Sequence, residues 1–250
     1  MFIKRVACIA VSLLIVSSTV WASATKDLEK AAKNGQVAFV LVTDGTTGDV
    51  SSAKAMIQSA VKQAKRTLMV ELDRSNPVNT DIVTKYRLST IPVPMILVFN
   101  PGGAISGAVQ PDKATPEMLA KMVPSQKKAE IINALSAGNA VFITAYRKSM
   151  KSVETVNSAC AAACQQMAGK SVQVKVDMDD PAETAFLTEM KIDMASAEPV
   201  TMVANAQGQI AGRYTGEMQV TELVTSASRK VGGCCPSTVS KPDASCGPTK

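Results

Sequence analysis

Residues 94–103 read PMILVFNPGG, and residues 199–208 read PVTMVANAQG. Each stretch is a proline, a short apolar and β-branched run, and then an Asn-x-x-Gly turn. A run of that length closed by such a turn reads as a strand entering a hairpin. Working outward, the landmarks keep their order on both sides. Val70-Glu71-Leu72-Asp73 is a strand ending in an acid, and residues 172–176 followed by Asp177 are its counterpart. Further back, residues 37–42 (VAFVLV) pair with residues 140–145 (AVFITA), and Gly35 pairs with Gly138. The spacings stay between 103 and 105 residues, so the chain is two copies of one unit.

The helices fall between these strands. Residues 27–34 read as a first helix that stops at Gly35. Residues 50–65 place Ala53, Met56, Ile57, Ala60, Val61 and Ala64 at helical spacing, and residues 153–167 are the counterpart. Met56 and Ala60 are read as filling the places of Cys160 and Cys164. A short helix is expected over residues 78–86, a hairpin strand over 104–109 and a closing helix over 115–122. This β-α-β-α-β-β-α order joins one right-handed parallel crossover to an antiparallel hairpin. The expected fold class is α/β, with a mixed central sheet flanked by helices in each copy.

The segment running from Val70 through the helix ending at Tyr86 to residues 89–103 resembles the part of the thioredoxin fold around its cis-proline. The resemblance extends over most of residues 26–230. It implies that Pro94 follows a cis peptide bond, and likewise Pro199 after Glu198. It also implies where chemistry belongs. In this family a Cys-x-x-Cys pair lies between the first core strand and the next helix, whose N-terminus lowers a thiol's pKa. Here those positions hold Thr46-Thr47-Gly48-Asp49 and Arg147-Lys148-Ser149-Met150, without a cysteine. The family's thiol–disulfide activity therefore does not carry over at its usual place. Both units read as redox-inactive, and such domains commonly serve as binding or scaffold modules. The glycines near Thr46 lack the Gly-Lys-Ser/Thr ending of a phosphate loop. Asp49 or Ser51 is instead expected to cap the following helix.

The N-terminus reads as an export signal. Lys4 and Arg5 give a positive start, residues 6–20 are apolar with interspersed serines, and Ala22-Ser23-Ala24 supplies a small-x-small cleavage site. The apolar run is shorter than the ~20 residues of a membrane span. Cleavage is expected after Ala24, giving a signal peptide over residues 1–24, domains over 25–125 and 126–231, and a tail over 232–250. Losing Lys4 and Arg5 takes 27 basic residues to 25 against 21 acidic ones, a mature net charge of +4. Without a basic cluster and with few aromatics, no nucleic-acid partner is expected. The 250-residue chain has no histidine. That excludes Ser-His-Asp and Cys-His catalysis, histidine metal sites and the usual near-neutral proton shuttle. The expectation points away from an enzyme.

Cys8 and Trp21 leave with the signal, and Cys160, Cys164, Cys234, Cys235 and Cys246 remain. Cys160 and Cys164 share a helix face, where Cβ atoms lie ~5–6 Å apart. A disulfide prefers ~3.5–4.5 Å. Two readings stand for this pair: two thiolates holding a soft metal such as copper or zinc, or small buried hydrophobes on the stripe Val153, Val156, Cys160, Ala163, Met167. The tail from Gly232 is too rich in glycine and proline, and too poor in apolar residues, to form a core. Cys234 or Cys235 pairing with Cys246 would staple it. Alternatively the three thiols form a soft-metal or thiol-exchange site, with Cys160 or Cys164 joining if the tail folds back. The leading expectation is an exported tandem thioredoxin-like protein, periplasmic or secreted, that binds another exported protein and has no membrane span once the signal is cut. The alternative is a copper or zinc binder, or an exchange protein, using the tail cysteines.

Overall fold

The computed structural model describes residues 23–230. The cysteines Cys234, Cys235 and Cys246, and nearly all of the expected signal peptide, lie outside them. The first half runs α1 (Ala24–Lys33), β1 (Val37–Thr43), α2 (Ser51–Gln63), β2 (Thr67–Asp73), α3 (Thr80–Lys85), β3 (Met95–Phe99), β4 (Ile105–Val109) and α4 (Pro116–Lys121). The second runs α5 (Gln126–Ser136), β5 (Ala140–Tyr146), α6 (Val153–Gln166), β6 (Ser171–Asp177), α7 (Thr184–Glu189), β7 (Val200–Ala204), β8 (Ile210–Thr215) and α8 (Val220–Ser228).

The two sheets have the same topology, β2-β1-β3-β4 and β6-β5-β7-β8. In each, the first pair is parallel and the other two are antiparallel. The continuous apolar character of β1 follows from its place. Phe39 and Leu41 pack toward Ile57 of α2 and Leu119 of α4, while Val40 and Val42 pack toward Ala31 of α1 and Ile82 of α3. β5 divides in the same way. Phe142 faces α6 and α8, and Val141 and Ile143 face α5 and α7. Phe39 and Phe142 are fully enclosed, and each contributes about 1.5–3 kcal/mol relative to an exposed side chain.

Both first helices end alike. Gly35 (φ 60°) and Gly138 (φ 79°) take the left-handed conformation, the next amide bonding back to Ala31 and Ala134 respectively. Arg87 and Lys191, 104 residues apart, are also left-handed, at φ 54° and 53°. Each turns the chain so that Leu88 or Ile192 enters the core.

Two expectations need correction. The Val93–Pro94 bond is cis, but Glu198–Pro199 is trans. The Pro199 carbonyl accepts from the Gly216 amide at 2.9 Å, extending the β7/β8 ladder, and Ser196 Oγ donates to the Glu198 carbonyl at 2.7 Å. The first copy has Pro111 at the place of Gly216 and no amide to donate there. The helix equivalence also shifts by one residue. Buried Ala53, Ile57 and Ala60 match buried Val156, Cys160 and Ala163, so the counterpart of Cys160 is Ile57 rather than Met56, which is only partly covered.

Candidate functional site

At the C-terminal edge of β1, three segments meet: the loop after β1, the residues after β2, and the approach to β3. Arg74 ties them together. Its Nη2 donates to Asp44 Oδ2 at 2.8 Å. Its Nη1 lies within hydrogen-bonding distance of the carbonyls of Leu88 (3.2 Å), Ser89 (3.2 Å) and Ile91 (2.7 Å). Asp44 Oδ1 in turn accepts from the Thr46 amide at 3.0 Å, the Thr46 hydroxyl at 2.8 Å and the Thr47 hydroxyl at 3.0 Å. These donors, the Thr46 hydroxyl foremost and Arg74 among them, hold the Asp44 carboxyl well below the usual carboxylate range. Asp49 closes the loop. Its Oδ1 accepts from the Ser51 amide at 2.9 Å and from the Ser51 hydroxyl at 2.6 Å at the start of α2, which lowers its pKa as well. Neither is the helix N-cap that the sequence led us to expect: that place belongs to Val50, which has no side-chain cap bond, and Asp49, one residue earlier, accepts from Ser51, the first residue of the helix.

The second copy builds the same junction with the charges exchanged. Arg147 follows β5, at the place of Asp44, and its Nε donates to Asp179 Oδ1 at 3.0 Å. The same guanidinium reaches the carbonyls of Met194 and, at 3.4 Å, Ser196 on the approach to β7. Residues 147–150 form a tight turn in which Met150 is buried and its sulfur receives the Arg147 amide at 3.2 Å. Ser152, at the N-cap of α6, bonds Glu198 immediately before Pro199. Both junctions are therefore pinned by a planar, permanently charged group that spans several carbonyls at once.

Among the described residues, neither junction has a thiol in it. The nearest cysteine in the helix that follows is Cys160, fully buried among Phe142, Val203 and Leu223. Its Sγ lies 3.6 Å from Thr144 Oγ1, and burial pushes its pKa up, opposite to the shift that activates a nucleophilic thiol. Cys164 is partly covered against the same cluster, and no bond joins the two sulfurs. Among the described residues no three Cys, Asp or Glu side chains converge as a metal site. Among them too, no helix is long and apolar enough to cross a membrane. A shallow cavity of about 120 Å³ adjoins the first junction, bordered by Asp44, Thr47 and the Lys54–Glu71 ion pair at 2.7 Å. The loops leave Thr46, Gly48, Lys148 and Lys151 exposed at the rim.

The charge-exchanged pairs escaped the sequence reading, although a signal was present. Arg74 directly follows the acid that ends β2, and Arg147 directly follows β5. Each therefore lies beside a neighbouring strand end, where an arginine meets several carbonyls.

No family model matches the sequence, and none of the curated proteins compared with it does. Solved structures do match. The first two thioredoxin domains of Saccharomyces cerevisiae Eps1p share 11% identity over 83% of this chain and 96% of theirs, with a TM-score of 0.32. Zinc-bound human ERp44 shares 12% identity over 81% of this chain, at a TM-score of 0.35. This chain spans 56% of that protein's length. The N-terminal domain pair of alkylhydroperoxide reductase AhpF from Enterococcus faecalis shares 12% over 81% of this chain and 97% of its own, at 0.26. Independently of these weak overlaps, the chain's own strand order and directions, with helices on both faces of each sheet, are those of two thioredoxin-like folds in tandem.

Proposed function

We propose that the protein is exported and works as a redox-inactive pair of thioredoxin-like domains that binds another exported protein. The observation that carries this reading is the arginine clamp. Where a dithiol would face the segment before β3 or β7, Arg74–Asp44 and Arg147–Asp179 hold the two sides together. A site built to exchange electrons needs an accessible, activated thiolate. These junctions instead offer a fixed polar rim of hydroxyls, backbone and lysines, which suits recognition of another chain. Site-specific photo-crosslinkers at Thr46 and Lys148 in cells test it. Discrete adducts with exported proteins are expected, unchanged in a variant whose mature cysteines are replaced by alanine. Adducts that vanish with the cysteines would contradict the reading.

A further inference from the structure

We infer that, in the exported protein, the precursor is cut between Ala22 and Ser23, so that the mature chain begins at Ser23 and keeps Ala24. This rests on the export reading and corrects the expected cut after Ala24. The sequence offers two sites: Ala22-Ser23-Ala24 before Thr25, and Val20-Trp21-Ala22 before Ser23. Both present alanine next to the scissile bond, the first with Ala22 and the second with Val20 two positions before it, so the residue at the bond does not choose between them. The fold does.

Ala24 is the first residue of α1 and is fully buried, its methyl group part of the core formed with Ala31, Val40 and Ile82. Its amide donates to Asn79 Oδ1 at 3.3 Å. Asn79 is itself buried, and its amide nitrogen is committed to the Asp73 carbonyl at 2.9 Å. The Ser23 carbonyl accepts from the amides of Lys26 and Asp27 at 2.9 and 3.2 Å, starting the helix. A cut after Ala24 removes all of this. It leaves a methyl-sized void, strips Asn79 Oδ1 of this donor, and removes the Ser23 carbonyl that accepts the first amides of the helix.

The second copy gives independent support, because no processing occurs there. Glu183 occupies the place of Asn79, and its Oε1 accepts from the Lys127 amide at 3.1 Å in the first turn of α5. Lys127 corresponds to Ala24. A side chain before α3 or α7 thus holds the first turn of α1 or α5 in both repeats, and only a chain that retains Ala24 can make the contact.

The step is hydrolysis by a signal peptidase. Water adds across the Ala22–Ser23 peptide bond, the leader leaves with the Ala22 carboxylate, and Ser23 takes the free amine. Intact mass and N-terminal sequencing of the full chain recovered from outside the cytoplasm test it. A start at Ser23 is expected. A start at Thr25 overturns the inference and leaves export standing, whereas a chain that stays inside the cell beginning at Met1 overturns export as well. A second variant separates the sites. Ala24→Val puts a β-branched residue next to the bond of the rejected site and two residues beyond the proposed one; because Ala24 is buried, the position of the cut is read rather than the yield of folded protein. Unchanged processing at Ser23 is expected, and accumulation of uncut precursor would overturn the inference.

Discussion

Asp44 and Arg147 occupy the same position in the two copies, the residue directly after the first strand of each sheet, and they carry opposite charges. Each is half of an ion pair whose other half follows the neighbouring strand, Arg74 at 2.8 Å and Asp179 at 3.0 Å. In both pairs it is the guanidinium that reaches the carbonyls before the third strand. The bridge has been kept while its polarity has been reversed, so it is the bridging that the fold requires.

Removing either arginine unpins the junction. Arg74→Met leaves the Asp44 carboxylate and the Ile91 carbonyl without that donor, at a cost of about 1.5–3 kcal/mol. Arg74→Lys recovers only part of it, since an ammonium lacks the planar fork. Urea denaturation reads both. A loss below ~0.5 kcal/mol for Arg74→Met would show the clamp to be incidental.

The reversed polarity is transferable. Asp44→Arg alone sets two arginines side by side and destabilises the first half. Adding Arg74→Met and Ser75→Asp reproduces the arrangement of Arg147, Met178 and Asp179 and should raise Tm above that of the single variant. A triple variant no more stable than Asp44→Arg contradicts the equivalence of the two junctions.

Acid acts through Asp44. Its folded-state pKa lies below its ordinary value of 3.8, so the native state favours the carboxylate more than the unfolded chain does. The stability it contributes is present above pH ~4 and is lost as pH falls through the usual carboxylate range toward the folded value. In a Tm-versus-pH series the Asp44→Asn variant, less stable at neutral pH, should lose less than the parent between pH 5 and 2. Parallel curves would show that Asp44 does not couple to folding.

The Cys160 thiol should be slow to react. Burial pushes its pKa up and closes access, whereas Cys164 is partly open. In timed iodoacetamide labelling at pH 8, peptide mapping should find Cys164 modified well before Cys160, which labels only on unfolding. Equal rates would place Cys160 outside the core.

Gly102 meets α5 with no room for a side chain. A Cβ there would overlap the side-chain amide of Asn133. Gly102→Ala should therefore destabilise by about 1–3 kcal/mol, and Gly102→Ala combined with Asn133→Ala should recover much of that loss. Additive effects in the double variant would contradict the close approach of this turn to α5.

The fold was largely legible because its signals are local. Apolar runs such as residues 37–42 report burial on both faces, the 103–105 spacing reports duplication, and the proline before residue 95 marks the entry to β3. Two things were less legible. Pro199 precedes its strand as Pro94 does, yet its peptide geometry goes with an amide seventeen residues on, at Gly216, where the first copy has Pro111. The clamp depends on pairing between strands. Arg74 is 30 residues from Asp44, and only the parallel register of β1 with β2 makes them neighbours.

The most direct test is insulin reduction by the mature protein with dithiothreitol as electron source. The account predicts a rate no higher than the uncatalysed background, unchanged by Cys160→Ala. Turnover above background that is abolished by Cys234→Ala or Cys235→Ala would contradict it, because electrons would then be passing through the tail rather than being excluded from the protein.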